Sequence, residues 1–248
     1  MTGLAHRYLD LARVHLDALR ERSGGAIDEA GRFTAERLVS GGRLHHFDTG
    51  HCAREPVRRA GGLVGLHAIE VSYALDHDTP PGRPDAGLAK DYFYDNESMG
   101  SMVAERAALA SGDVLWLVSN SGKEPFPVAL ALGAKSRGVA VVALTSVAFS
   151  KSLEARHSSG RRLYEVADRV VDLGAPLEDA AVAAPGLPTP IAPLSGLLTV
   201  AATWALEAAT VEALLSKGVV PAVYRSVNLP DGFAKNAEAE RAYRARGI

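Results

Sequence analysis

Two serines and a glycine follow directly on a run of apolar residues: Asp113-Val114-Leu115-Trp116-Leu117-Val118 leads into Ser119-Asn120-Ser121-Gly122-Lys123-Glu124-Pro125. In an open α/β sheet, ligands bind beyond the carboxyl ends of the strands, and a helix N-terminus offers unpaired N–H groups and a positive dipole end. A strand-to-helix turn of this composition can therefore hold a phosphate. Ser119 and Ser121 supply hydroxyl donors, Gly122 lets the backbone come close, and Pro125 suits the first helical turn. The same residues also suit a plain helix cap. Glu124 weighs against an anion unless it turns away to cap its own helix or is balanced by Lys123.

Moving a proton between adjacent carbons needs a base. Glu70 stands at the end of the apolar run 63–69, where a strand end would face such a turn. Glu55 follows a second turn, Asp48-Thr49-Gly50-His51, and as a helix acid it fits a surface position equally well. His157 lies among Arg156, Ser158, Ser159 and Gly160, where a histidine can carry protons near neutral pH. His45 and His46 are adjacent on a strand and point to opposite sides. With His51 and His67 they lack the tight spacing of metal ligands, so no obligatory metal is expected. A dinucleotide fingerprint is also missing: Asp48-Thr49-Gly50-His51-Cys52-Ala53 has a single glycine, and Asp48 opposes a pyrophosphate. No cofactor is expected.

The elements that must position these residues are legible in the pattern. Apolar runs at 44–47, 63–69, 114–118, 139–144 and 169–173 read as strands, and helices such as 125–137 fall between them. The central runs are continuously apolar, as in a parallel sheet covered on both faces, which predicts a three-layer α/β/α sandwich. Two helices, 4–22 and 27–40, precede the first strand, separated by Ser23-Gly24-Gly25 and closed by Gly41-Gly42. A long helix over 194–217 is apolar on most sides and should be buried against the sheet or another subunit. The stretch 76–95 reads as a loop or lid, the proline-rich stretch 174–193 as a second interruption, and the tail from Asn228 as a charged helix.

The order of three turns resembles the SIS (sugar isomerase) family of phosphosugar isomerases and phosphosugar-binding domains. The Ser119-Asn120-Ser121-Gly122 turn is its signature, accompanied by Asp48-Thr49-Gly50-His51 and by Ala143-Leu144-Thr145-Ser146. Residues 156–164, Arg-His-Ser-Ser-Gly-Arg-Arg-Leu-Tyr, resemble a bacterial subgroup. The resemblance spans about 44–217. It implies a single SIS domain over 1–248 with a helical extension (1–42) and a tail (219–248), a flavodoxin- or Rossmann-like sheet, and a homodimer or homotetramer with sites near the interface. It also implies that Ser119, Asn120, Ser121, Gly122 and Lys123 meet the sugar phosphate, that Thr145, Ser146 and Ser150 close the site, and that Gly50 and His51 sit nearby. Glu55, Glu70 and His157 are then the expected catalytic residues.

The expected activity is an aldose–ketose isomerisation of a phosphorylated sugar or amino sugar. A lyase of the same superfamily, such as an N-acetylmuramic acid 6-phosphate etherase, begins with the same proton abstraction. A non-catalytic sugar-phosphate sensor is the reading from another class, and it would act through a protein partner, since no helix-turn-helix precedes Gly42. With 27 basic against 29 acidic side chains there is no strong field for nucleic acid. The single Cys52 cannot form an internal disulfide, and without a signal-like N-terminus or a membrane span of ~18 uninterrupted apolar residues a cytoplasmic protein is expected.

Overall fold

The computed structural model describes residues 3–52, 54–72, 80–82 and 93–248. Its strands are β1 (Leu44–Asp48), β2 (Leu66–Ala68), β3 (Val114–Val118), β4 (Ala140–Thr145), β5 (Arg169–Asp172), β6 (Ala180–Val182) and β7 (Ile191–Pro193). The described helices are α1 (Leu4–Val39), α2 (Glu97–Arg106), α3 (Pro125–Ser136), α4 (Val147–Ser152), α5 (Leu163–Val166), α6 (Ser195–Ser216) and α7 (Gly232–Arg246). Five strands form one parallel sheet in the order β2-β1-β3-β4-β5, with Leu44 opposite Val114 and Val114 opposite Ala140.

Alternation along β3 sends Val114, Trp116 and Val118 into one core and Leu115 and Leu117 into the other. Both faces are covered, which is why the strand is apolar at every position. On the first face α1 and α6 pack together over the sheet; on the second lie α2, α3 and α5. The three-layer sandwich expected from the sequence is the architecture found. Inside the first core, Trp116 donates its indole N–H to Thr34 Oγ1 of α1 at 3.1 Å, so the one polar atom of that ring is satisfied. At the amino end of the sheet Asp113 accepts from the Arg43 and Ala110 amides and lies 3.0 Å from His45 Nε2.

The expected pair of N-terminal helices is a single helix. Buried positions Leu19, Ser23, Ile27, Ala30, Thr34 and Leu38 continue in helical phase straight through Gly24-Gly25. Each glycine costs a helix interior about 1 kcal/mol relative to alanine. Packing outweighs that: Ser23 Oγ donates to the Asp172 carbonyl at 2.6 Å, and Gly31 lies so close to α6 that a Cβ would stand 2.7 Å from that of Ala209.

The second strand is shorter than the run 63–69, because Leu63 forms an isolated bridge with Val223 instead. The proline-rich stretch holds a feature not expected there, the antiparallel ribbon of β6 and β7. Of the expected lid, 76–95, only 80–82 and 93–95 are among the described residues. Helix α6 is long and apolar enough to cross a membrane by length and composition, yet Leu198, Ala202, Leu206 and Leu214 are core residues against α1 and the sheet.

Candidate functional site

In this strand order the chain winds one way from β1 to β2 and the other way from β3 to β5, so β1 and β3 flank the point where the connections diverge. A crevice opens there in doubly wound sheets. Here it is a pocket of about 360 Å³ lined by Thr49 and His51 after β1, Ser119, Ser121 and Glu124 after β3, and Tyr94, Asp95 and Arg156. A larger groove, about 1070 Å³, runs between α1 and α6 and is mostly apolar. The smaller pocket has the polar, convergent lining suited to a small polar ligand.

Asp48 builds the first turn. Its Oδ1 accepts from the Gly50 and His51 amides at 2.8 and 2.9 Å, and its Oδ2 from the Cys52 amide. Burial pushes the carboxyl up, but hydrogen bonds from the His51 amide, the Cys52 thiol and the Gly50 and Cys52 amides outweigh it and hold the group below its usual range. Burial pushes the Cys52 thiol well up, and the Asp48 charge adds to the effect, so it is no ready nucleophile. His46 is driven down to about 4 by burial, against the opposing Asp48 charge, and is neutral.

The second turn is braced from behind. Asn120 points inward, its carbonyl accepting from the Ser146 amide and Thr145 Oγ1 and its Oδ1 from Ser146 Oγ. Thr145, Ser146 and Ser150 are fully buried and do not line the pocket. They support the turn: a Cβ on Gly122 would stand 2.8 Å from Thr145 Oγ1 and 3.4 Å from Ser150 Oγ. Gly122 has φ +55°, the left-handed region. Among the described residues, the amides of Asn120, Ser121, Gly122, Lys123 and Glu124 donate to no protein acceptor. A turn of free amides around a left-handed glycine is a backbone nest that suits an anion. The helix itself contributes less than the sequence suggests, because Pro125 and Pro127 remove two N–H groups from its first turn.

Glu124 occupies the cap position of α3 without bonding the helix amides with its side chain. Its carboxylate is taken instead by Lys123 and by Arg156, the latter at 2.8 Å. Arg156 also grips Asp95 through two bonds of 2.7 and 2.9 Å. The Arg156 guanidinium holds Asp95 below its usual range, and Asp95 with Glu124 raises Arg156 in return. Two cations and two carboxylates thus cancel at the rim.

The expected catalytic residues are not brought together. Glu55 pairs with Arg59 at 3.0 Å and Glu70 with Arg54 at 2.6 Å, and neither lines this pocket. Glu70 instead borders a groove of about 580 Å³ beside His67 and Tyr243. His157 adjoins the rim without lining it: Nδ1 accepts from the Ser159 amide at 3.0 Å, and Nε2 is 3.6 Å from Glu97. Burial pushes the Glu97 carboxyl up, but the Ser158 hydroxyl and amide and the His157 charge outweigh it and hold the group below its usual range. His45, His46, His51 and His67 have separate partners, Asp113, Cys52, Ser195 and Tyr243. Among the described residues no group of three or more His, Cys, Asp or Glu side chains is placed to hold a metal.

Sequence reasoning missed a chain of contacts behind His51. Its Nδ1 lies 3.1 Å from Ser195 Oγ, which donates to Asp179 Oδ2 at 2.7 Å. Nothing local marks it, since His51 and Ser195 are 144 residues apart.

Comparison with known proteins places the architecture. The SIS domain profile matches residues 7–146. A UPF0309 protein of Streptomyces griseus subsp. griseus is 35% identical over 246 residues, covering 98% of this chain and 96% of that protein. Among solved structures, a phosphoheptose isomerase from Neisseria gonorrhoeae superposes with a TM-score of 0.53 at 13% identity, over 83% of this chain and 96% of that one. The Vibrio vulnificus NanR protein, complexed with ManNAc-6P, gives 0.51 at 14% identity over 99% of this chain and 70% of that one. At such identities the structural likeness concerns the fold.

Proposed function

We propose, from the premise that the chain belongs to the SIS domain family, that it is a sugar-phosphate isomerase interconverting an aldose and a ketose, or their amino-sugar counterparts, through an enediol. The observation that carries the reading is the nest of free amides from Asn120 to Glu124, flanked by the Ser119 and Ser121 hydroxyls in the switch-point pocket. A phosphate there meets backbone N–H groups that, among the described residues, have no protein acceptor to displace. Thr49, His51 and Tyr94 line the space left for the sugar. The rim network keeps Glu124 neutralised, which removes the main electrostatic objection to an anion. One SIS domain spanning the chain, with its N-terminal helix and C-terminal tail, acts without a cofactor in the cytoplasm as a homodimer or homotetramer.

A sensor is the second reading, favoured by the placement of Glu55 and Glu70 on arginines away from the pocket. Incubation of the protein with a panel of sugar phosphates in deuterated water separates the two. Deuterium entering beside the carbonyl supports isomerase or lyase chemistry, and NMR of the products distinguishes those. Binding without exchange for every member leaves the sensor.

A further inference from the structure

We propose that His51 is the acid–base group of this pocket, its proton held on Nδ1 by Ser195 and Asp179 so that Nε2 meets the substrate; the proposal rests on the proton-transfer reading above. The argument is one of hydrogen counting. A serine hydroxyl has one hydrogen, and a carboxylate offers only acceptors. The Ser195 hydrogen goes to Asp179 Oδ2, at 2.7 Å, so the Ser195 oxygen faces His51 Nδ1 as an acceptor at 3.1 Å. Nδ1 must then carry the ring proton, and Nε2 keeps its lone pair, as a general base requires. His51 is a pocket-lining residue with Ser119 and Ser121, and the two carboxylates that also line the pocket, Asp95 and Glu124, are both tied to Arg156.

Asp179 also caps α6, taking the Ser195 amide at 2.7 Å and the Leu194 amide at 3.2 Å on Oδ1. Capping needs only the backbone of Ser195. Its hydroxyl is nonetheless buried between the two partners, and Asp179 is held at φ +60°, a left-handed conformation costly for a non-glycine residue. The α6 terminus is also docked tightly on the β1 turn, since a Cβ on Gly196 would stand 3.1 Å from the His51 carbonyl oxygen.

In the forward step, Nε2 takes the proton from the carbon beside the carbonyl. The C–H electron pair becomes the enediolate double bond, and the negative charge rests on the former carbonyl oxygen. The hydroxyl proton on the second carbon passes to that oxygen, and the imidazolium returns its proton to the former carbonyl carbon. No co-reactant is consumed.

The test combines a ligand-free measurement with exchange. In ¹⁵N- and ¹³C-histidine-labelled protein, His51 is expected as the Nδ1–H tautomer. Ser195→Ala, which keeps both backbone bonds to Asp179, should lose that preference, and Ser195→Thr should restore it. An Nε2–H tautomer in the wild type, or no change in Ser195→Ala, overturns the relay whatever the substrate. His51→Asn should slow deuterium exchange into the sugar phosphate by ~100-fold or more while ligand still binds, the range for a lost acid–base group. Wild-type exchange that survives in His51→Asn overturns this proposal and leaves the isomerase standing; binding without exchange in the wild type overturns both.

Discussion

Replacing Gly122 by alanine should damage folding and ligand binding together. Its φ of +55° is a left-handed conformation, which costs an L-residue about 1–2 kcal/mol. The new methyl would also stand 2.8 Å from Thr145 Oγ1 and 3.2 Å from Leu163 Cβ, both buried, and overpacking of that kind adds about 1–3 kcal/mol. The sum, roughly 2–5 kcal/mol, corresponds to a fall in Tm of very roughly 4–20 °C for a protein of this size. Gly160→Ala is the matched control: its φ is +67°, but nothing lies within 4 Å of the added Cβ. It should show the conformational cost alone, about 1–2 kcal/mol. Thermal unfolding of both variants, with calorimetric titration of a sugar phosphate, measures the difference. Equal losses in the two would refute the claim that close packing against Thr145 and Leu163 shapes the anion turn. Unchanged affinity in Gly122→Ala would refute the nest.

Ser121→Ala should weaken sugar-phosphate binding by about 10- to 150-fold, the worth of one hydrogen bond to a charged group, whereas Ser158→Ala should not, because Ser158 Oγ is spent on Glu97; equal effects by titration would remove Ser121 from the site. Arg156→Ala frees the Asp95 carboxylate and leaves Glu124 with Lys123 alone, and the affinity for a phosphate should fall by ~10-fold or more, with the loss smaller at high salt where such charges are screened. Thr34→Val strands the buried Trp116 indole N–H and should cost about 1–3 kcal/mol in urea unfolding without altering binding. Glu207 of α6 is pushed up to about 7 by burial, against one hydrogen bond from the Leu63 amide. A carboxyl that holds its proton more tightly folded than unfolded stabilises most below its unfolded pKa. Stability should therefore fall as pH rises from about 4.5 to 7, by about 3 kcal/mol at most, and Glu207→Gln should flatten that dependence in urea titrations at pH 5 and 8.

The strands β3 and β4 and the turn after β3 were legible because they are written locally. An unbroken apolar run between turn residues can form little else than a strand covered on both faces, and Ser119-Asn120-Ser121-Gly122 follows it directly. The N-terminal helix was misread at Gly24-Gly25 for the complementary reason. Local glycine cost argues for a break, and contacts with Asp172 and α6 overrule it. Glu55 and Glu70 were expected at the site from their places near turns, but whether a carboxylate faces a pocket or an arginine depends on neighbours the local sequence does not name.

What the sequence by itself determined is the order of apolar runs and turns, and from it the sandwich and the place of the Ser119–Gly122 turn after β3. The tertiary structure alone decided which side chains share the pocket. It brings Arg156 to Asp95 across 61 residues and Ser195 to His51 across 144, because only packing of the sheet, α6 and the β6–β7 ribbon sets those distances.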